Sequence, residues 1–357
     1  MNGNYDVDLG VIGLGNIARL HTDRLQKAGH GDLVTAGLDV DPDARGRFAA
    51  QYDTTVYEDQ YELYEAVDAV LVTTPNKFHE EYVVNALEAG LDVFVEKPLA
   101  HTVGSAERIA AAAHEAEGFV MVGFHNRFRN PVQTLLGYRA DGTMGHIDHI
   151  EANYIRRRGI PGRGSWFTRK ALAGGGSLID IGVHAIDLSL YLLDFPEVVE
   201  VSGQTRAAFG TDSDYAYVSM WGEDHGASGF DVDDSASALI RCANGKTVSL
   251  EVAWAVNRPD SQEYFVRGRG AGARLDLSED SLTLYETPST GVDHHRTSKV
   301  ETSGDNAHAI ELEQFVDSVA TDEAPGTNTV EQALTVQRVM DAIYRSSETG
   351  RAVSLAE

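Results

Sequence analysis

The first 125 residues alternate short apolar runs with helix-patterned stretches, and that alternation constrains the fold more than any other feature of the chain. "VDLGVIGLGNIARLHTDRL" opens with an apolar strand, turns at Gly13-Leu14-Gly15 and continues as a helix through Leu25. "DLVTAGLDV" reads as a strand ending at Asp39. Asp41 followed by Pro42 is an N-cap with a first-turn proline, leading a helix to about Tyr52. "DAVLVTTP", "LDVFVEKP" and "GFVMVGF" are further short apolar strands, with helices near 79–89 and 103–116 between them. Strand and helix in strict turn imply a doubly wound α/β unit, a parallel sheet covered on both faces.

At 357 residues the chain exceeds one comfortable core, so two domains are expected, 1–125 and 126–357, with the last helices free to pack back on the first. In the second, "SASALIRCANGKTVSLEVAW" reads as two strands joined at Asn244-Gly245, a strong hairpin signal. "HIDHIEANYI" and "QEYFVRG" supply further strands. "GTDSDYAYVSMWGEDHGASGFDVDD" is turn-rich throughout and reads as a surface excursion.

Charge narrows the partners. The chain has 55 acidic and 29 basic residues, a formal net charge of −26, and only six lysines. That field disfavours nucleic-acid phosphates and anionic membranes. An acidic excess with scarce lysine resembles halophilic proteins, in which molar salt, with a Debye length of about 3 Å, screens the self-repulsion. No run reaches the ~18 apolar residues of a membrane span. The acidic N-terminus runs straight into a strand and is no signal peptide. Cys242 stands alone, which excludes an internal disulfide and a cysteine-rich zinc site. A cytoplasmic protein fits.

Gly13-x-Gly15-x-x-Ala18 lies between a strand and a helix, and Asp39 closes the second strand. This is a dinucleotide fingerprint: Gly13 permits the tight turn, Gly15 lets backbone approach a pyrophosphate, and the helix N-terminus, with Asn16 and Ile17, attracts the anion. A carboxylate at Asp39 bonds ribose hydroxyls and repels a 2′-phosphate, favouring NAD over NADP. Arg45 and Arg47, in the next helix, can reach back, so NADP stays open.

"VFVEKPLAHT" at 93–102 places Glu96-Lys97-Pro98 at the end of a fifth strand. With this fingerprint, "VTTPNKFHEEYVVNALEAGLDV", "GGGSLIDIGVHAIDL" and the closing "YRSSETGRAVSL", the chain resembles the Gfo/Idh/MocA oxidoreductases over nearly its whole length. The resemblance implies an N-terminal Rossmann domain and a C-terminal α/β domain. The latter carries a large open, mostly antiparallel sheet through which homodimers or homotetramers form. It also implies catalysis at Lys97, Asp180 and His184.

The residues support that chemistry independently. Read as a helix from about Ser177 to Leu193, the second motif is apolar nearly all round, yet Ser177, Asp180, His184, Asp187 and Tyr191 share one stripe. Buried polar groups need partners or a cleft. Oxidising an alcohol needs a base and a stabiliser of developing negative charge. His184 suits the first role and the Lys97 ammonium the second, although a desolvated Lys97 can itself accept the proton. Asp180, one turn before His184, can orient the imidazole, bond a substrate hydroxyl or pair with Lys97. No third ligand accompanies Asp180 and His184, so no metal is expected.

Thr74, Pro75, Asn76 and His79 match a cofactor-lining segment of the family, with helix capping the alternative for Thr74 and Asn76. Glu96 joins the same set. Asn126 is placed to reach the nicotinamide. Arg127 either contacts substrate or forms a salt bridge, Trp166 either walls the pocket or packs, and Arg156 to Arg158 read as a solvated strand end, with an anionic-substrate contact the alternative. These readings define an NAD(P)-dependent oxidoreductase that transfers a hydride between the nicotinamide and a hydroxyl carbon of a sugar, polyol, inositol or sugar derivative. Two alternatives use the same cofactor: glycosidic cleavage through transient oxidation, and a noncatalytic NAD-binding protein.

Overall fold

The computed structural model describes residues 5–218, 220–304 and 306–355, so the first four residues of the acidic N-terminal stretch lie outside the described residues. The chain forms two compact units, Met1–His125 with Asn306–Gln337 and Asn126–Asp305 with Arg338–Glu357.

The first unit is built on six parallel strands, β1 (Leu9–Ile12), β2 (Val34–Leu38), β3 (Thr55–Tyr57), β4 (Ala69–Val72), β5 (Asp92–Val95) and β6 (Val120–Val122). Their order, β3-β2-β1-β4-β5-β6, is the Rossmann order, and the chain reverses direction across the sheet between β1 and β4. β1, β4 and β6 are buried at every position because helices cover both faces, which is why they read as continuous apolar runs. Helix Ala307–Thr321, from late in the chain, belongs to this unit and packs on helix Asn16–Ala28. Its Phe315 meets Phe94 and Phe119 edge-on, with ring centroids 5.6 and 5.8 Å apart.

The second unit contains nine strands: β7 (Ile147–Ile155), β8 (Val198–Arg206), β9 (Ser235–Cys242), β10 (Thr247–Ala253), β11 (Ser261–Gly268), β12 (Gly272–Asp276), β13 (Ser281–Glu286), β14 (Arg296–Val300) and β15 (Val353–Ser354). They run β14-β13-β12-β11-β7-β10-β9-β8-β15, with β7 and β10 parallel and the other neighbours antiparallel. The Asn244-Gly245 hairpin forms as expected, with Gly245 at φ 80°.

Against this sheet lies the apolar helix, and here the structure corrects an expectation. Ser177 to Leu193 is not one continuous α-helix. A π-helical turn at Leu178–Gly182 precedes an α-helix at Val183–Leu192. The wider turn leaves room at Gly182 that the Leu178 side chain occupies, with its Cδ1 2.8 Å from where a Cβ would sit. Such turns recur where a helix must present a particular side chain. The whole segment Lys170–Leu192 is long and apolar enough by composition to cross a membrane, but 83% of that window is buried inside the protein, as in a core helix.

The turn-rich stretch also departs from a purely surface excursion. Phe230, Val232, Asp233 and Asp234 are buried. Buried Arg163 reaches into the stretch, pairing with Asp224 at 2.8 and 3.1 Å and donating to the carbonyl of Asp212 at 2.7 Å.

Candidate active site

In the first unit the candidate residues collect at the carboxyl ends of β1, β2, β4 and β5, the end at which open α/β sheets bind ligands. Gly13 adopts φ +89°, and a Cβ there would come within 2.9 Å of the Thr74 backbone nitrogen, so only glycine lets the two turns approach. A Cβ at Gly15 would meet nothing within 4 Å, so this stretch of backbone borders open space. Helix Asn16–Ala28 starts there with no side-chain cap and no acid in its first turn. Its free N–H groups therefore suit an anion. Asn16 and Ile17 are exposed on that first turn, and Asn16 Oδ1 accepts from Arg19.

Asp39 has a structural task besides any contact with ribose. Its Oδ2 accepts the Leu14 N–H at 2.7 Å and its Oδ1 the Asp41 N–H at 2.9 Å, tying the glycine turn to the end of β2. Arg45 pairs with Glu58 and donates to the Asp39 carbonyl, while Arg47 lies 3.7 Å from Asp41. Both arginines thus already have acidic partners, and an uncapped helix beside an open glycine fits a dinucleotide.

Thr74 Oγ1 is buried without a hydrogen-bond partner among the described residues, Pro75 is half-buried, and Asn76 is buried at the start of the following turn. His79 is fully enclosed, with Nδ1 3.0 Å from the Pro98 carbonyl and Nε2 2.9 Å from that of Thr74. It joins the loop after β4 to the Glu96-Lys97-Pro98 loop. The structure therefore makes His79 an internal staple, because both ring nitrogens face backbone. Burial pushes its pKa below the usual histidine value, against the pull of the two carbonyls.

Glu96 faces inward. Its Oε1 lies 2.6 Å from Nε2 of the fully buried His21, and its Oε2 accepts the Lys97 N–H at 3.2 Å. Burial works to raise the Glu96 pKa, but the His21 bond, with the charges of His21, Lys97 and His308, outweighs it and holds the carboxyl at about 2. Lys97 itself is half-buried. His21 escaped the sequence reading, since nothing in its helix periodicity marks a partner 75 residues away.

In the second unit, Asp180 is buried and accepts the indole N–H of fully buried Trp254 at 2.9 Å, and Arg156 Nη1 lies 3.4 Å from the same oxygen. Arg156 is thus a partner of Asp180 and not a solvated strand end. Arg158 packs over Phe209 at 4.7 Å and donates to Asn257. His184 is buried one turn beyond Asp180. Asp187, from the expected stripe, instead meets Arg127: the guanidinium donates to its two oxygens at 2.5 and 3.1 Å and lies over Tyr191 and Phe195. Arg127 is fully buried in that pair. The salt-bridge alternative therefore describes it. Asn126 is buried with its Nδ2 lacking a partner among the described residues. Trp166 is 37% exposed.

One carboxylate organises the start of the segment that carries Asp180 and His184. Asp233 Oδ1 accepts the Gly176 N–H at 2.8 Å and the Tyr344 hydroxyl at 2.7 Å. Its Oδ2 accepts the Ser177 hydroxyl at 2.7 Å and the Leu178 N–H at 2.8 Å. A Cβ at Gly176 would fall 1.8 Å from the Asp233 carbonyl oxygen, which accounts for the last glycine of the triplet. Burial, with the Asp233 charge, keeps the Tyr344 phenol well above its ordinary pKa, so it stays a donor. Among the described residues no group of three or more His, Cys, Asp or Glu side chains is arranged to hold a metal ion.

Known proteins share this architecture. Residues 7–124 match the family described as "Oxidoreductase family, NAD-binding Rossmann fold", and residues 132–274 match the "GFO/IDH/MocA C-terminal domain". The D-glucoside 3-dehydrogenase of Escherichia coli K12 is 32% identical over 314 residues, 85% of this chain and 84% of that protein. The inositol 2-dehydrogenase of Acidothermus cellulolyticus is 36% identical over 219 residues, 59% of this chain and 61% of its own. A levoglucosan dehydrogenase in complex with NADH superposes with a TM-score of 0.83 at 20% identity, covering 98% of this chain and 99% of that one. With its six-stranded nucleotide-binding sheet and nine-stranded partner, the chain belongs to the Gfo/Idh/MocA oxidoreductase family.

Proposed function

We propose that this protein is an NAD-dependent dehydrogenase that oxidises a hydroxyl carbon of a sugar, polyol or sugar derivative, with Lys97, Asp180 and His184 as its catalytic residues. The observation that carries the reading is a carboxylate and an imidazole, Asp180 and His184, both buried on a segment that is apolar nearly all round and whose start is fixed by Asp233. Such placement is costly unless chemistry or a network requires it. The relatives named as D-glucoside and inositol dehydrogenases support the substrate class.

A bound nicotinamide supplies the acceptor for the hydride that leaves the carbinol carbon. Gly13, Gly15, Asn16, Ile17 and the helix that follows would hold the pyrophosphate, and Asp39 would take the adenosine ribose. Thr74, Pro75, Asn76 and Asn126 would line the remainder, with Thr74 Oγ1 and Asn126 Nδ2, which lack a partner among the described residues, as their open hydrogen-bonding atoms. Glu96 positions Lys97 through its backbone N–H. The Lys97 ammonium stabilises negative charge on the substrate oxygen. His184 accepts the hydroxyl proton at its imidazole, and Asp180, fixed by Trp254 and Arg156, orients substrate or imidazole. The enzyme is read as cytoplasmic and salt-adapted. Copies associate through the open sheet, a reading that exposed Phe265 on β11 and Tyr285 on β13 support.

The test is a panel of aldoses, glycosides, inositols and sugar acids with NAD or NADP in molar KCl, followed at 340 nm. NADH accumulating with one of these classes supports the proposal. Products released without net NADH favour the transient-oxidation alternative, and no turnover with any class overturns both.

A further inference from the structure

All three tryptophans of the chain, Trp166, Trp221 and Trp254, gather around one phenylalanine. Phe167 lies 5.0 Å from Trp166 at 73°, 4.8 Å from Trp221 at 82° and 5.9 Å from Trp254 at 33° between ring centroids and planes. Trp254 is fully buried and bonds Asp180, whereas Trp166 is 37% and Trp221 49% exposed. A continuous set of ring contacts therefore leads from the candidate catalytic carboxylate to two solvent-facing indoles.

The two loops that carry those indoles are joined tightly. Gly162 donates its N–H to the Trp221 carbonyl at 3.1 Å, and His225 donates to the Arg163 carbonyl at 2.8 Å. A Cβ at Gly222, where φ is +80°, would come within 2.9 Å of the Gly162 Cα, so the backbones touch directly. The Arg163–Asp224 pair closes the same junction. Large apolar groups held in a fixed arrangement yet left in water mark a surface that meets a ligand. The cation at the junction, Arg163, is committed to Asp224 and to backbone carbonyls, so it offers nothing to a phosphate. An indole face matches the C–H face of a neutral pyranose ring, whose hydroxyls stay hydrated around its edge.

We propose that Trp166 and Trp221 form a stacking platform for a second ring, so that the preferred substrate is a neutral glycoside or disaccharide whose reacting ring lies at Asp180 and His184. This rests on the dehydrogenase reading above, and the experiment separates the two. Initial rates of NADH formation are compared for D-glucose, methyl β-D-glucopyranoside, cellobiose, maltose and myo-inositol, in the full chain and in Trp221→Leu and Trp166→Leu. Tryptophan emission is titrated with cellobiose and maltose in parallel, with circular dichroism confirming the fold of each variant.

The expected result is a kcat/KM for one disaccharide at least ~10-fold above that for glucose, a ratio that collapses in Trp221→Leu through KM. A saturable emission change with that disaccharide, lost in Trp221→Leu, accompanies it. Turnover of single rings with no disaccharide preference, and ratios unmoved by either variant, overturns the platform and leaves the dehydrogenase standing. If no sugar or inositol yields NADH, the dehydrogenase reading falls, and the emission titration still decides the platform: no response to either disaccharide overturns it.

Discussion

Trp254 donates its indole N–H to Asp180 at 2.9 Å, from a strand end 74 residues further along the chain. A buried donor aimed at a buried carboxylate fixes where that carboxylate points. Trp254→Phe keeps most of the ring packing and deletes the bond. We expect kcat to fall about 10-fold, the scale of one lost charge-assisted hydrogen bond, with KM for NAD unchanged. A variant with wild-type kcat would leave Trp254 as core packing alone.

Lys97→Ala and His184→Ala each remove a group assigned to the reacting oxygen or its proton. Each is expected to lose at least ~10²-fold in kcat while NADH still binds, as fluorescence titration would report. Near-normal turnover in either variant refutes the role given to that residue.

Asp233→Ala strips acceptors from two backbone N–H groups and two hydroxyls around the head of the segment that carries Asp180 and His184. Each unsatisfied buried donor costs about 1–3 kcal/mol, so the thermal midpoint should drop by several degrees or more. Asp233→Asn retains one carbonyl oxygen and should lose less. Equal midpoints for wild type and Asp233→Ala would show that the clamp is dispensable.

Glu96 carries a pH signature. Its carboxyl is held at about 2, below its ordinary 4.5, so the folded state releases this proton more readily than the unfolded chain. The resulting stability is fully present above about pH 4.5 and is lost as pH falls from there towards 2. Over that window the wild type should lose more stability than Glu96→Gln in matched urea melts. Parallel curves for the two proteins would contradict the assignment.

The net charge of −26 predicts a salt requirement. Melting points measured in dilute buffer and in molar KCl should rise clearly with salt, because screening relieves the repulsion among acidic side chains. A midpoint that does not move between the two conditions would remove the salt-adapted reading.

Features local in sequence were legible there. β1, β4 and β6 announced themselves as buried parallel strands because both faces are covered, and Asn244-Gly245 named its hairpin. The glycine turn with Asp39 could be placed because strand and helix bracket it. What stayed hidden depends on distant partners. The π turn at Leu178–Gly182 reflects how Leu178 fills the space beside Gly182, which no 100° periodicity encodes. Asp233 looked like one more turn residue, yet it caps a segment 57 residues earlier. For Arg127 the sequence favours a salt bridge over a substrate contact but does not name the partner, Asp187, 60 residues away.

The anchoring of the 210–234 stretch bears on how such enzymes diverge. Asp224 and Asp233 are each bolted to elements outside it, by Arg163 and by the head of the segment that carries Asp180 and His184. Mutations in the intervening loop can therefore reshape its rim while Asp180 and His184 keep their positions. Inherited variation can in that way retune which molecules are accepted without first dismantling the chemistry.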